Sequence, residues 1–149
     1  MKAAGRFRFS LETVLKVRTL REDQARLALT QAQAQLARSR QALSETEAKF
    51  LEVLNRLKET TSQDWRAPEY QLVCGYLEHL KVARDGWRKQ VSQEEAEVAK
   101  KMVALEKCHQ ERRLLENLRG KKFLEFRREL TKFLENQTEA IVLTRWSKP

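Results

Sequence analysis

The sequence predicts an all-α fold: two long helices forming an antiparallel coiled-coil hairpin, with an overhanging C-terminal helix. Three observations carry that expectation. Apolar residues recur every seven positions, Gly and Pro number only four and two in 149 residues, and one clear break divides the chain. Scarce turn formers beside abundant Ala, Glu, Gln, Lys, Leu and Arg are the composition of long helices, and they exclude a turn-rich sandwich or barrel.

The first ladder reads Leu15, Glu22, Leu29, Leu36, Leu43, Phe50 and Leu57, a row of a positions with one charged member. Its companion d row, Leu11, Arg18, Ala25, Ala32, Ser39, Thr46, Val53 and Thr60, is mostly small, so a partner helix can approach closely. Strong helix formers fill Asp23 to Arg40 between the rows. Ser10 precedes the ladder as an N-cap, with Thr13 where a capping box would carry Glu. A helix over about 10–62 follows.

Three hydroxyls, an acid and the sole internal proline then fall within Thr60 to Pro68. This is a turn, assigned to 63–68. Pro68 disfavours helical geometry at Ala67 and suits the first turn of a new helix. A second ladder, Tyr70, Leu77, Arg84, Val91, Val98 and Leu105, again has one charged member, with Val73, Leu80, Trp87 and Cys108 on the same face. Beyond Leu105 the register drifts through Leu114, Leu115 and Leu118 to Phe123, Phe126, Leu130, Phe133, Leu134 and Ile141, with a weak point at Gly120. The helix is expected over about 69–143, and Trp146 falls in a tail beyond it. Gly75 and Gly86 are each either a tolerated glycine or, at Gly86, a hinge. The whole chain, 1–149, reads as one coiled-coil domain.

At 1.5 Å per residue the helices would be roughly 80 and 110 Å long, too long for a compact globule. Folding back at the break sets Leu15 opposite Glu116 and leaves the chain from about Lys121 onward without an internal partner. Residues 1–21 hold six basic residues and one acid, residues 22–110 fourteen of each, and residues 111–149 ten and six. The net +9 therefore belongs to the segments that the hairpin brings together, and a one-sided basic concentration favours an acidic partner there. The tail's apolar stripe, Phe123, Phe126, Leu130, Phe133 and Leu134, calls for docking, self-association or a membrane surface; docking is favoured. Tyr70, Val73, Leu77 and Leu80 are either the last layers of the seam or an exposed patch.

No catalytic constellation is visible. Cys108 and His109 are neighbours on a helix and point about 100° apart, so they are not a nucleophile and base. His79 and His109 read as surface or seam-edge residues, and Glu22-Asp23 and Glu94-Glu95 as solvated faces. There is no Gly-rich phosphate loop. Cys74 and Cys108 lack metal-ligand spacing, so neither zinc nor a disulfide is indicated and both are expected reduced. Trp65 and Trp87 are packing or interface anchors. No cofactor or metal is expected. No apolar stretch approaches the length of a transmembrane helix, and the polar Leu11-Glu12-Thr13-Val14 does not fit a signal peptide, so a cytoplasmic location is expected.

The opening Phe7-Arg8-Phe9-Ser10-Leu11-Glu12-Thr13-Val14-Leu15-Lys16-Val17-Arg18, followed by Glu22, closely resembles the F-x-F-x-L-E-x-V-L-x-x-R start of the flagellar export protein FliJ family. Length, the two-helix plan, basic charge and the run Glu116-Asn117-Leu118-Arg119 through Arg127-Arg128-Glu129 are also similar, whereas Leu130 to Glu135 keeps only parts of the family's C-terminal pattern. The resemblance implies a non-enzymatic component of the flagellar type III export apparatus, similar to the central stalk of rotary ATPases and active in flagellum biogenesis and motility. It implies insertion into the hexameric export ATPase FliI, contact with the export gate protein FlhA, handling of export chaperones, and peripheral association with the inner membrane at the flagellar base. By that resemblance Arg6, Arg8, Lys16, Arg18, Arg21, Arg112, Arg113, Arg119, Lys121 and Lys122, with Lys2, would meet the ATPase ring. Val73, Leu77, Leu80 and Arg84 would meet the gate. Two other readings compete: the equivalent stalk of a virulence type III secretion system or a generic rotary-ATPase stalk, and a nucleic-acid-binding coiled-coil arm. For the second the charge is the sole support, since stacking platforms are missing outside Phe123 to Phe133, and no nucleic acid is expected.

Overall fold

The structure, a computed structural model, describes residues 5–60 and 66–147. It contains two helices, α1 (Glu12–Thr60) and α2 (Ala67–Trp146), which pack against each other as a coiled coil. The expected turn at 63–68 lies partly outside the described residues, as does Trp65.

Every a and d position read from the first ladder between Leu11 and Leu57 is buried or half-buried, and the residues between are mostly exposed. Leu15 and Leu36 are buried at a, and Ser39 is buried at d. This is what a seven-residue repeat does on a helix of 3.6 residues per turn: one stripe stays against the partner. In α2, Leu80 and Val91 are the buried residues, while Leu77, Arg84, Val98, Leu105 and Cys108 are half-covered. Tyr70 departs from its ladder and is 47% exposed.

Tertiary contacts divide the chain into a terminal unit, Met1–Gln24 with Glu106–Pro149, and a central unit, Ala25–Leu105. Each holds a stretch of both helices. In the terminal unit Glu12 pairs with Arg119 and Arg18 with Glu111; in the central unit Arg40 pairs with Glu95 and Glu47 with Arg88. One residue number rises as the other falls, so the helices are antiparallel in each unit.

Several boundaries and contacts differ from expectation. The entry to α1 is a backbone turn, with the Glu12 amide donating to the Phe9 carbonyl at 3.1 Å; the helix begins at Glu12, two residues beyond Ser10. The second helix begins at Ala67 in spite of Pro68, and its first-turn bond runs from the Tyr70 amide to the Arg66 carbonyl at 3.0 Å. Proline costs nothing there because first-turn amides need no helical acceptor. At the other end α2 continues through Trp146. It also passes without interruption through Gly75, Gly86 and Gly120, where an added Cβ would meet nothing within 4 Å.

The drift expected after Leu105 is not a loss of repeat. The same interval of seven leads to Arg112, Arg119, Phe126 and Phe133; Arg112, Phe126 and Phe133 are half-buried, and Arg119 reaches across to Glu12 at 2.9 Å. The register was hidden because two consecutive seam positions are arginines. The chain beyond Lys121 does have an internal partner: the Phe7 ring meets Phe123 edge-on at 5.2 Å and Phe126 at 5.6 Å.

Candidate functional site

The terminal unit holds all ten cations expected to meet a partner and carries 17 basic residues against 10 acidic ones, a net +7 of the +9. How those cations are used depends on where each sits in the repeat. Arg18, at d, donates to Glu111 at 2.7 Å, both side chains about a third exposed. Arg112, at a, bonds through Nε to Glu22 and also pairs with Glu116. Arg119, the next a position, pairs with Glu12 and lies 5.6 Å over the Phe7 ring. Lys122 approaches Glu125 at 3.5 Å on the surface of the same helix. The three arginines tie the two helices of the unit together. Arg6, Arg8, Lys16, Arg21, Arg113 and Lys121 are exposed and form no ion pair among the described residues.

Glu22 is the centre of the internal set. It is 3% exposed, yet it occupies a ladder position that would otherwise hold leucine. A buried carboxylate without partners would be neutralised or expelled. Here His109 Nδ1 lies 3.1 Å from one oxygen and Arg112 bonds the other. Burial pushes the carboxyl up, but the bonds from Arg112 and His109 and their charges outweigh it, and the group titrates below the ordinary glutamate range. The Arg112 guanidinium is raised in turn by Glu22 first and Glu116 second.

The opening segment completes the unit. Phe9 is buried, and Gly5 to Ser10 line a shallow cleft with Lys122, Glu125, Phe126 and Glu129. The F-x-F element thus closes onto the stripe of α2 that was expected to overhang. Apolar side chains remain uncovered farther along, with Leu134 53%, Ile141 58% and Trp146 86% exposed.

In the central unit, the four residues expected at the gate lie along the seam. Leu80 is 6% exposed. Arg84 is half-buried with its guanidinium 5.0 Å over the Phe50 ring, a cation–π contact between the charged member of one ladder and the aromatic member of the other. Val73 and Leu77 are half-covered. Beside them Leu72 is exposed at 76% and Tyr76 at 46%, two of several exposed apolar residues in this unit, and sequence periodicity passes over both because they lie off the ladder.

Reasoning from sequence missed three contacts: the Glu22 ion pair, the Phe7 docking and the Arg84 stack. A signal for two of them existed. A lone charge in an apolar ladder asks for a partner, and the antiparallel register points from Glu22 to the residues around 109 and from Arg84 to those around 47. The Phe7 contact had no such signal, since the segment precedes the helix.

The described residues form a two-helix antiparallel coiled coil with a predominantly basic terminal unit, and among them there is no group of three or more metal-binding side chains. The chain belongs to the flagellar FliJ protein family, whose model matches residues 7–138, and it is a flagellar export-associated protein. No curated protein and no solved structure matches it. Among the described residues, no helix is long and apolar enough to cross a membrane.

Proposed function

We propose that this chain is the non-enzymatic stalk and adaptor of the flagellar type III export apparatus. The terminal unit enters the hexameric export ATPase, the central unit contacts the export gate protein, and the chain handles export chaperones at the inner membrane. The observation that carries this reading is the division of the basic residues: Arg18, Arg112 and Arg119 are satisfied internally, while Arg6, Arg8, Lys16, Arg21, Arg113 and Lys121 remain available to an acidic surface. A coiled coil stiffened at its seam and charged on its outside can bias how ring subunits assemble, because one asymmetric shaft meets each subunit differently. Family membership supports the export setting.

The gate contact is assigned to Val73 and Leu77 with the exposed Leu72 and Tyr76 beside them, and to Leu80 and Arg84 as the seam residues that hold that face in place. Leu72→Asp with Tyr76→Asp should abolish gate binding while circular dichroism stays helical; retained binding refutes the assignment. The ring contact is tested by mixing the protein with the purified export ATPase and measuring hexamer formation and ATP hydrolysis. Both should rise, and no change in either removes the claim.

A further inference from the structure

The outer surface of the terminal unit is not the same on its two flanks. With Leu15 and Glu22 at a, Val14 and Arg21 fall at g and Val17 at c; with Arg112 and Arg119 at a on α2, Leu118 falls at g and Leu114 and Lys121 at c. In an antiparallel pair, g faces g and c lies just outside it, whereas e faces e on the opposite flank. The e flank is occupied by the chain's own contacts: Glu12 with Arg119, His109 with Glu22, and Phe123 with Phe7.

The other flank is open and apolar at its centre. Val14 and Val17 lie between Glu12 and Arg18 on α1, and Leu114 and Leu118 lie between Glu111 and Arg119 on α2, so two ion pairs bracket the four residues from both sides. Their exposures are 40%, 42%, 69% and 36%. Exposed Arg21 and Lys121 border them. The acids on this flank nearest these four residues are engaged, Glu111 by Arg18 and Glu125 by Lys122.

We propose that this flank seats an acidic amphipathic α-helix of a partner protein, laid along the groove between α1 and α2 as a third strand. Its apolar stripe covers Val14, Val17, Leu114 and Leu118, and its carboxylates reach Arg21 and Lys121. The groove between two packed helices is shaped for another helix at ordinary packing distance. Charge selects the occupant: a second copy would set +7 against +7, and a nucleic acid would meet aliphatic side chains where it needs stacking surfaces. The inference rests on the function proposed above in one respect, that the export ATPase ring is the partner that supplies the helix.

The test uses the full chain and the purified ATPase. Val17→Glu with Leu114→Glu should weaken binding about tenfold or more, as loss of central apolar anchors does. The charge-matched Gln110→Glu with Asn117→Glu, on the outward face of α2, should leave it within about threefold. Arg21→Glu with Lys121→Glu should weaken binding and flatten its salt dependence. If the glutamates reduce helicity, Val17→Ser with Leu114→Ser gives the same comparison without added charge. Benzoylphenylalanine at position 114 should crosslink to an acidic helix of the ATPase. Equal effects of the two glutamate pairs, a crosslink to a loop or a basic segment, dimerisation through this flank in sedimentation, or flank-dependent binding to duplex DNA or phosphatidylglycerol vesicles would each overturn the flank assignment while leaving the stalk reading intact. Failure of the unaltered protein to bind the ATPase would sink both.

Discussion

Glu22 does the opposite of what a ladder position usually does. Leucine there would contribute burial; glutamate contributes a bond to Arg112 and another to His109 that can form in one alignment of the helices. Glu22→Gln should cost about 2–3 kcal/mol, the loss of charged hydrogen bonds together with an Arg112 left poorly paired, measured by urea unfolding. Replacing both partners, Glu22→Leu with Arg112→Leu, should restore or raise stability by about 1–4 kcal/mol. We further predict that this double variant admits shifted alignments, seen as new cysteine crosslinking pairs between the helices; a single unchanged pairing would refute a registering role. Acid acts on the same group. Its folded value lies below the unfolded value near 4.5, so its stabilisation is complete above that pH and disappears as the pH falls through the lower folded value. In Glu22→Gln this acid-sensitive part should be missing from the pH–stability curve. Glu22 is buried, which overturns the expectation that Glu22-Asp23 is a solvated face: its ladder spacing placed it at the seam, but charge alone does not say which way a side chain faces, and the same holds for Arg112 turning inward while Arg113 turns outward.

Within the helices, the sequence was most informative where the repeat was filled by apolar residues and least where it was filled by arginine. The first ladder is legible from Leu11 to Leu57, whereas the apolar pattern of the second breaks after Leu105 although its interval persists through Arg112, Arg119 and Phe126. Glycine was a second source of ambiguity. A turn signal such as Asp85-Gly86 has no effect when the surrounding turns are held by packing, and α2 runs through it. Since a Cβ at Gly86 or Gly120 meets open space, Gly86→Ala and Gly120→Ala should each stabilise by about 1 kcal/mol, raising the Tm by about 2–4 °C. A fall in Tm would mean that the glycine relieves a strain not seen in this conformation. Ahead of α1, Phe7→Ala should cost about 1–2 kcal/mol from lost aromatic contact with Phe123 and Phe126. Hydrogen exchange should quicken at residues 122–130 of α2 and stay unchanged in the central unit.

At the scale of the molecule, positive charge and internal pairing are balanced differently in the two units. The central unit carries 13 basic and 11 acidic residues, the terminal unit 17 and 10. Like charge drawn together opposes folding and is relieved by screening. The terminal unit should therefore gain protection, followed by hydrogen exchange, as salt rises from about 10 mM to the physiological range near 150 mM, where the Debye length falls to about 8 Å; the central unit should respond less. Loss of protection in the terminal unit would mean that its ion pairs outweigh its net repulsion.

The closure of Phe7 onto Phe123 and of Glu12 onto Arg119 also sets an order of events during synthesis. The aromatic pair that locks the opening segment is made more than a hundred residues apart, so the earlier-translated ring must wait, uncovered, until the later part of α2 has left the ribosome. Nascent chains arrested short of Arg119 should therefore be clipped readily near Phe7 by chymotrypsin, and those extended past Phe126 should resist. The opening segment is thus secured late, as a seal that is set only once residues more than a hundred positions downstream have emerged.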